Sequence, residues 1–258
     1  MSGSSGGWRA SLGSGLASFT VIAAAWELGV VAGVLNPFFT SRPTAILSAL
    51  VEQALTGALL VNVRVSLGEF LLGFGLAALV GVVLGVLAGW YRTVEYALDP
   101  FLWFLYSAPL IAFYPIFVIW FGLGVWTVVA IAFLLGMPPV MANTLSGVKR
   151  VDRSLVRAAQ SFGARDRDLF LHVALPACVP MVMAGLKLGV GRALTGVVIA
   201  ELFGATAGLG FAIGYHGQLL QTTEMMASLL VIVALGVAAT QALAGLERRF
   251  DSWRTGPG

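Results

Sequence analysis

Apolar runs long enough to cross a bilayer recur along this chain, and they limit its folds more than any single motif. A spanning helix needs about 20 apolar residues, because the hydrocarbon is about 30 Å thick and each residue rises about 1.5 Å. Six such runs are legible: Leu16 to Leu35, Val65 to Gly89, Phe101 to Phe121, Val125 to Asn143, Ala177 to Ala200 and Met225 to Leu246. Inside a bilayer each backbone N–H and C=O must be bonded within the protein, so the runs predict helices. The expected fold is an all-α polytopic membrane protein with six transmembrane helices. Composition agrees: 59% of the 258 residues are hydrophobic and 10% charged, where a soluble domain carries about 25% charge.

Residues 1–15 are rich in Gly and Ser with one arginine, and read as a short disordered cytoplasmic tail. No cleavage-site pattern follows the first apolar run, which predicts an uncleaved span rather than a signal peptide. The membrane domain is expected over 16–246, interrupted by a polar interval at about 146–176, with a basic tail at 247–258. Between the first two runs, Ile46, Leu47, Leu50, Val51, Ala54 and Leu55 recur at helical spacing in a segment too polar to span. That pattern predicts an interfacial helix.

The second run carries small residues four apart: Gly73, Ala77, Gly81, Gly85 and Gly89. A ridge of this kind lets helix backbones approach closely. The third run is aromatic and broken by Pro109 and Pro115; the fourth follows Gly122-Leu123-Gly124 and carries Pro138-Pro139. Proline frees a backbone carbonyl, so kinks are expected, with packing as the ordinary reason for them. Residues 201–224 read as a mixed, glycine-rich loop. Trp26, Trp103, Trp120 and Trp126 read as interfacial anchors.

Six spans place both termini, the 90–99 turn and the 146–176 interval on one side. That side holds eleven basic residues from Arg9 to Arg254, against Arg42 and Arg64 on the other. Positive charge accumulates on the cytoplasmic face, so both termini and the central interval are expected there. The sequence pI of 9.4 is thus a topology signal, and no nucleic-acid partner is expected. Cys178, the single cysteine, can form no intramolecular disulfide and reads as a small buried hydrophobe.

The polar interval is more than a connector. From Asp152 to Phe162 the apolar residues Leu155, Val156, Ala159 and Phe162 share one helical face, and Gly163 stands where a helix C-terminus favours a left-handed residue. A second short helix is expected from Asp166 to about Val173, returning the chain to the membrane before Leu175-Pro176. Two short helices hinged at a glycine form a knob with an apolar ridge, suited to a groove on a partner. A solvated linker needs no such ridge.

Lys187 and Arg192 fall inside the fifth run and Glu201 at its outer end. Intramembrane charge is costly and faces a cavity, a partner or the interface. Lys187 and Arg192 read either as an anion-attracting element of a pathway or as packing partners of Glu27, Glu69 or Glu201. Glu201 reads as a gate residue or as the partner of Arg192. There is no phosphate-cradling Gly-x-x-x-x-Gly-Lys-Ser/Thr loop, no nucleophile-base pair and no Cys/His cluster with metal spacing. No enzyme activity is expected of this chain.

Ala158-Ala159, Gly163 and, nine residues on, Val173-Ala174-Leu175-Pro176 resemble the EAA loop of membrane subunits of binding-protein-dependent ABC importers. The resemblance runs along nearly the whole chain: Arg42-Pro43-Thr44, Ser107-Ala108-Pro109 with Tyr114-Pro115, Phe121-Gly122-Leu123-Gly124, and Ala200-Glu201 with Gly208-Leu209-Gly210. These are similar to the nitrate/taurine/sulfonate-type branch. One departure is a reversal of charge, since Arg157 stands at the family's glutamate. Asp152, Asp166 and Asp168 are nearby candidates to replace that contact.

The resemblance implies a type I importer fold with a cytoplasmic coupling helix. Its implied partners are a second permease subunit, two ATPase subunits that bind ATP-Mg, and an extracytoplasmic binding protein. The ATPase-coupling residues it implies are Arg157, Ala158, Ala159, Phe162, Gly163, Leu175 and Pro176. No cofactor is expected in this chain, and its place is the cytoplasmic membrane. A membrane scaffold that recruits a soluble partner without moving solute is the alternative. A channel fits less well, because nothing resembles a selectivity filter.

Overall fold

In the computed structural model the described residues are 5–251, and they are almost entirely helical. The chain runs through α1 (Ser5–Val31), a short α2 (Pro37–Thr40), α3 (Pro43–Leu55), α4 (Ala58–Trp90) and α5 (Arg92–Ser107). After a 3₁₀ turn at Leu110–Phe113 come α6 (Tyr114–Phe121), α7 (Val125–Lys149), α8 (Arg153–Ser161) and α9 (Asp166–Leu169). A π-helical turn, Phe170–Ala174, leads into α10 (Leu175–Gly204), followed by α11 (Leu209–Gln218) and α12 (Thr222–Asp251).

Helix α7 is the centre, packed between α4 and α10. The small-residue ridge of α4 sets the first contact. A Cβ added at Gly73 would lie 2.6 Å from the Ala132 Cβ, at Gly81 2.9 Å from Val140, at Gly85 2.6 Å from Thr144 and at Gly89 2.6 Å from Val148. The partners on α7 are themselves spaced in fours, so two ridges run side by side at near backbone contact. Helix α7 also meets Gly185, Gly189 and Gly196 of α10; a Cβ at Gly185 would lie 3.1 Å from the Pro139 carbonyl oxygen. Phe70, Val128, Ile131, Ala132, Val190, Ala193 and Val197 fill the space between the three helices.

Several expectations are corrected by the structure. Helix α1 begins at Ser5, inside the stretch read as a disordered tail, since extending a formed helix costs far less than starting one. Pro138 and Pro139 lie buried within a continuous α7. The third run is not one rod: Arg92–Ser107 and Leu110–Phe121 meet at 91°. Pro109 causes the bend by holding Ala108 extended (ψ 138°). Helix α12 runs on to Asp251, through the start of the expected tail; the rest of that tail, 252–258, lies outside the described residues.

Four described helices are long and apolar enough to cross a membrane, in α4, α7, α9–α10 and α12, and the bent pair makes a fifth if it is one span. The apolar part of α1, Ala17–Val31, is shorter than these. The interfacial segment is helical as expected. Glu27 caps α3 by accepting from the Thr44 N–H (3.1 Å) and hydroxyl (2.9 Å), while Ile46 and Ala49 pack inward against Ala227.

At one end of the bundle Lys149 pairs with Glu95, and Trp90 meets Phe170 edge-on at 5.1 Å. These contacts gather the α4–α5 turn, the end of α7 and the start of the α10 rod. At the other end, the Thr222 hydroxyl donates to the Phe38 carbonyl (2.6 Å), and Ser41 and Thr223 share a hydrogen bond (2.8 Å).

The ridge makes a position-specific prediction. Gly85→Leu should lower stability by about 3 kcal/mol, because α4 and α7 must part. Gly75→Leu, whose Cβ meets nothing within 4 Å, should stay within about 0.5 kcal/mol of the parent. Unfolding in mild detergent checks the difference.

Candidate functional site: an exposed coupling knob and a buried carboxylate knot

The first site is the polar interval. Asp152 begins α8 as its N-cap, its carboxylate accepting from the Ser154 N–H at 2.8 Å. That bond, with the Arg157 charge beyond it, holds the Asp152 carboxyl below the usual carboxylate range. At the other end Gly163 takes φ +84°. Its N–H donates to the Gln160 carbonyl (2.9 Å) and that of Ala164 to Ala159 (3.1 Å), the two bonds of a Schellman cap. Helix α8 packs mainly on α9, so most of its surface is outward. Phe162 is 93% exposed and Leu155 53%, with Val156 and Ala159 half-buried. Arg157 and Ala158 are also exposed.

The return to the membrane differs from the expected separate helix. Asp166–Leu169 passes through the π turn directly into α10, giving one rod, Arg167–Gly204. The Leu175 N–H reaches back to Phe170, and this one-residue widening leaves room for the Pro176 ring, which clashes with the carbonyl four residues earlier in a regular helix. The segment after α8 therefore runs into α10 as one continuous helix. Of the acidic candidates near Arg157, Asp152 is used as the α8 cap, and Asp168 accepts from the Arg165 N–H at 3.1 Å. The Asp166 side chain lies outside the described residues.

The second site lies at the opposite end of the same rod. Residues 201–224, expected as a loop, contain α11. Gly208 starts it at φ +120°, and a Cβ there would lie 2.5 Å from the Glu201 carboxyl carbon; at Gly210 it would lie 2.4 Å from the Val198 carbonyl oxygen. The glycines allow α11 to sit on the end of α10, so that its N-terminal N–H groups meet side chains. Gly208 donates to Asn62 Oδ1 (3.0 Å), Leu209 to Ser66 Oγ (2.8 Å) and Gly210 to Glu201 Oε2 (2.6 Å), with Phe211 also donating to Glu201. Ser66 in turn donates to Glu201 Oε1 at 2.6 Å. These bonds satisfy the donors a helix start leaves orphaned, and a carboxylate is favoured at that positive end.

Glu201 is fully buried and Glu69 3% exposed, and the two carboxyl groups hydrogen-bond each other. The other Glu69 oxygen, Oε2, has no hydrogen-bond partner. The expected pairing of Glu201 with Arg192 is thus overturned. Lys187 is corrected too: it pairs with Glu247 of α12 rather than with Glu27, Glu69 or Glu201. Arg192 is exposed. Sequence reasoning missed Glu69, Ser66 and Asn62 as a group; the one available signal was polar residues on a single α4 stripe near its start.

The family of binding-protein-dependent transport system inner membrane components matches residues 81–254. The chain belongs to that family. The taurine transport system permease protein TauC of Escherichia coli is 31% identical over 92% of this chain and 88% of its own length. The formylaminopyrimidine transport permease protein ThiX of Halalkalibacterium halodurans is 28% identical over 92% and 94%. Among solved structures, an inward-facing MetNI methionine ABC transporter chain superimposes with a TM-score of 0.61 at 20% identity, over 74% of this chain and 96% of that one. The fold is therefore that of a type I importer permease, and the protein is a multi-pass membrane component of a transport system rather than an enzyme.

The knot predicts an asymmetry. Glu201→Ala strands two or more N–H groups and should cost about 3 kcal/mol. Glu69→Gln offers a donor toward Glu201 and should lie within about 1 kcal/mol of the parent. Thermal unfolding of the two variants in detergent measures both.

Proposed function

We propose that this chain is the solute-pathway subunit of an ATP-driven importer, carrying a small anionic solute delivered by an extracytoplasmic binding protein into the cytoplasm. The observation that carries the proposal is the capped, outward-facing α8 knob on a rod that continues to the far side of the membrane. Arg157, Ala158, Ala159, Phe162 and Gly163 form the docking element, and Leu175 and Pro176 join it to the rod. ATP-Mg is bound and hydrolysed by separate ATPase subunits, whose closure moves the knob; a second permease subunit completes the pathway. Both termini face the cytoplasm, with α1 as the first of six spans, in keeping with the eleven-to-two division of basic residues. TauC transports taurine by its name, which supports a small sulfonate as the first solute to try.

Mechanistically, binding energy between α8 and the ATPase shifts α10 against α4 and α7. Packing this close has few intermediate arrangements, so the rod moves as a body rather than bending in proportion. The knot at its outer end carries that movement to α11.

The test is ATP hydrolysis by the reconstituted permease–ATPase complex with binding protein, across a panel of small anions and heterocycles. Stimulation by one ligand is expected. Gly163→Glu, which forces a non-glycine residue to φ +84°, should reduce it by about tenfold, the effect of roughly 1.4 kcal/mol. No ligand-dependent stimulation with the complex intact contradicts import and favours a scaffold.

A further inference from the structure

The charges at membrane depth do not balance within the chain, and the imbalance has a position. Lys187 and Glu247 neutralise each other. Glu69 and Glu201 share a hydrogen bond, with the start of α11 donating to Glu201. Glu27 is taken by the start of α3. Among the described residues no carboxylate lies within ion-pair distance of Arg192, and its side chain is on the surface.

Arg192 lies well inside α10. Arg192 is 12 residues from the outer end of α10 and 17 from Leu175, which is about 18 Å and about 25 Å along the axis. An unpaired guanidinium this far inside an apolar helix is strongly unfavourable in lipid and calls for a polar partner or water.

The surrounding face is mostly apolar and carries a few hydroxyl and amide groups. Thr195, less than a turn along α10, is exposed and borders a hollow of about 180 Å³ with Gly191 and Ile232. A neighbouring groove between α10 and α12 includes Thr240 and Gln241.

We infer that Arg192, with Thr195 beside it, is the point in the aqueous pathway that attracts the solute's negative group, a small organic oxyanion such as a sulfonate or carboxylate. Lys187 has no part in this; it holds α10 to α12. The inference rests on the importer reading above and adds to it a place and a charge. Arg192 acts as a way-station. A guanidinium offers several donors to an oxyanion, yet an exposed one binds weakly enough to release it.

The test uses the complete permease–ATPase complex in proteoliposomes, on a Cys178→Ala background that leaves no native thiol in this chain. Thr195→Cys reports the local field through its reaction rates with two water-borne methanethiosulfonates, one bearing a sulfonate and one a trimethylammonium group. With Arg192 present, the sulfonate reagent is favoured relative to its solution rate. Arg192→Gln should lower the anion-to-cation rate ratio by about tenfold, and Arg192→Lys should restore most of it. A structural role for Arg192 moves neither ratio. The inference is overturned if the thiol introduced by Thr195→Cys is unreactive to both reagents, which places this face against lipid or protein, or if Arg192→Gln leaves the ratio unchanged. Either result can occur in a complex whose ATP hydrolysis still responds to binding protein, so failure here is distinct from failure of the importer reading.

Discussion

Near backbone contact between α7 and its two neighbours is the constraint on which the rest of the structure depends. In a bilayer the lipid is as apolar as leucine, so helices gain little by burying side chains and must gain by packing closely. The α4 ridge at Gly73, Gly81, Gly85 and Gly89 meets Ala132, Val140, Thr144 and Val148, and α10 presents Gly185, Gly189 and Gly196 to α7 as well. A three-helix unit built this way resists bending. It can therefore hold polar machinery at both ends and keep the two ends in register.

That rigidity gives meaning to the two ends of α10. At one end a capped helix stands clear of the bundle with Phe162 outward, a shape that serves docking and wastes apolar surface otherwise. At the other, Glu201 closes the start of α11 against α4, using oxygen acceptors where water is excluded. A buried carboxylate is stable only when such donors surround it. Between them lies Arg192, well inside α10 and without a carboxylate partner among the described residues. The exposed α8, Arg192 and Glu201 thus follow one another along the chain.

Much of this was legible in the sequence, and the rest was hidden for identifiable reasons. The α4 ridge could be read because a period of four in small residues has one physical use in a membrane helix. The α8 knob could be read because Asp152 and Gly163 mark its ends by local chemistry. Helix α11 could not: its glycines, which let it approach Glu201, look like loop residues when the approach is unseen. Pro176 looked like a helix boundary until the π turn beside it made room. The partners of Lys187 and Glu201 were missed because they lie on α12 and α4, and spacing along one helix says nothing about which distant carboxylate folds against it. The bend at Pro109 was expected as a break, but its 91° angle depends on what α6 packs against.

The central claim is that the α8 knob, held out by a rigid rod, is where a motor subunit attaches. Amide hydrogen exchange of the protein alone and in complex with its ATPase tests it directly. The account predicts that the amides of Arg153–Phe162 slow markedly on complex formation while those of α7 stay unchanged. Unaltered exchange across Arg153–Phe162 in an assembled complex would contradict it.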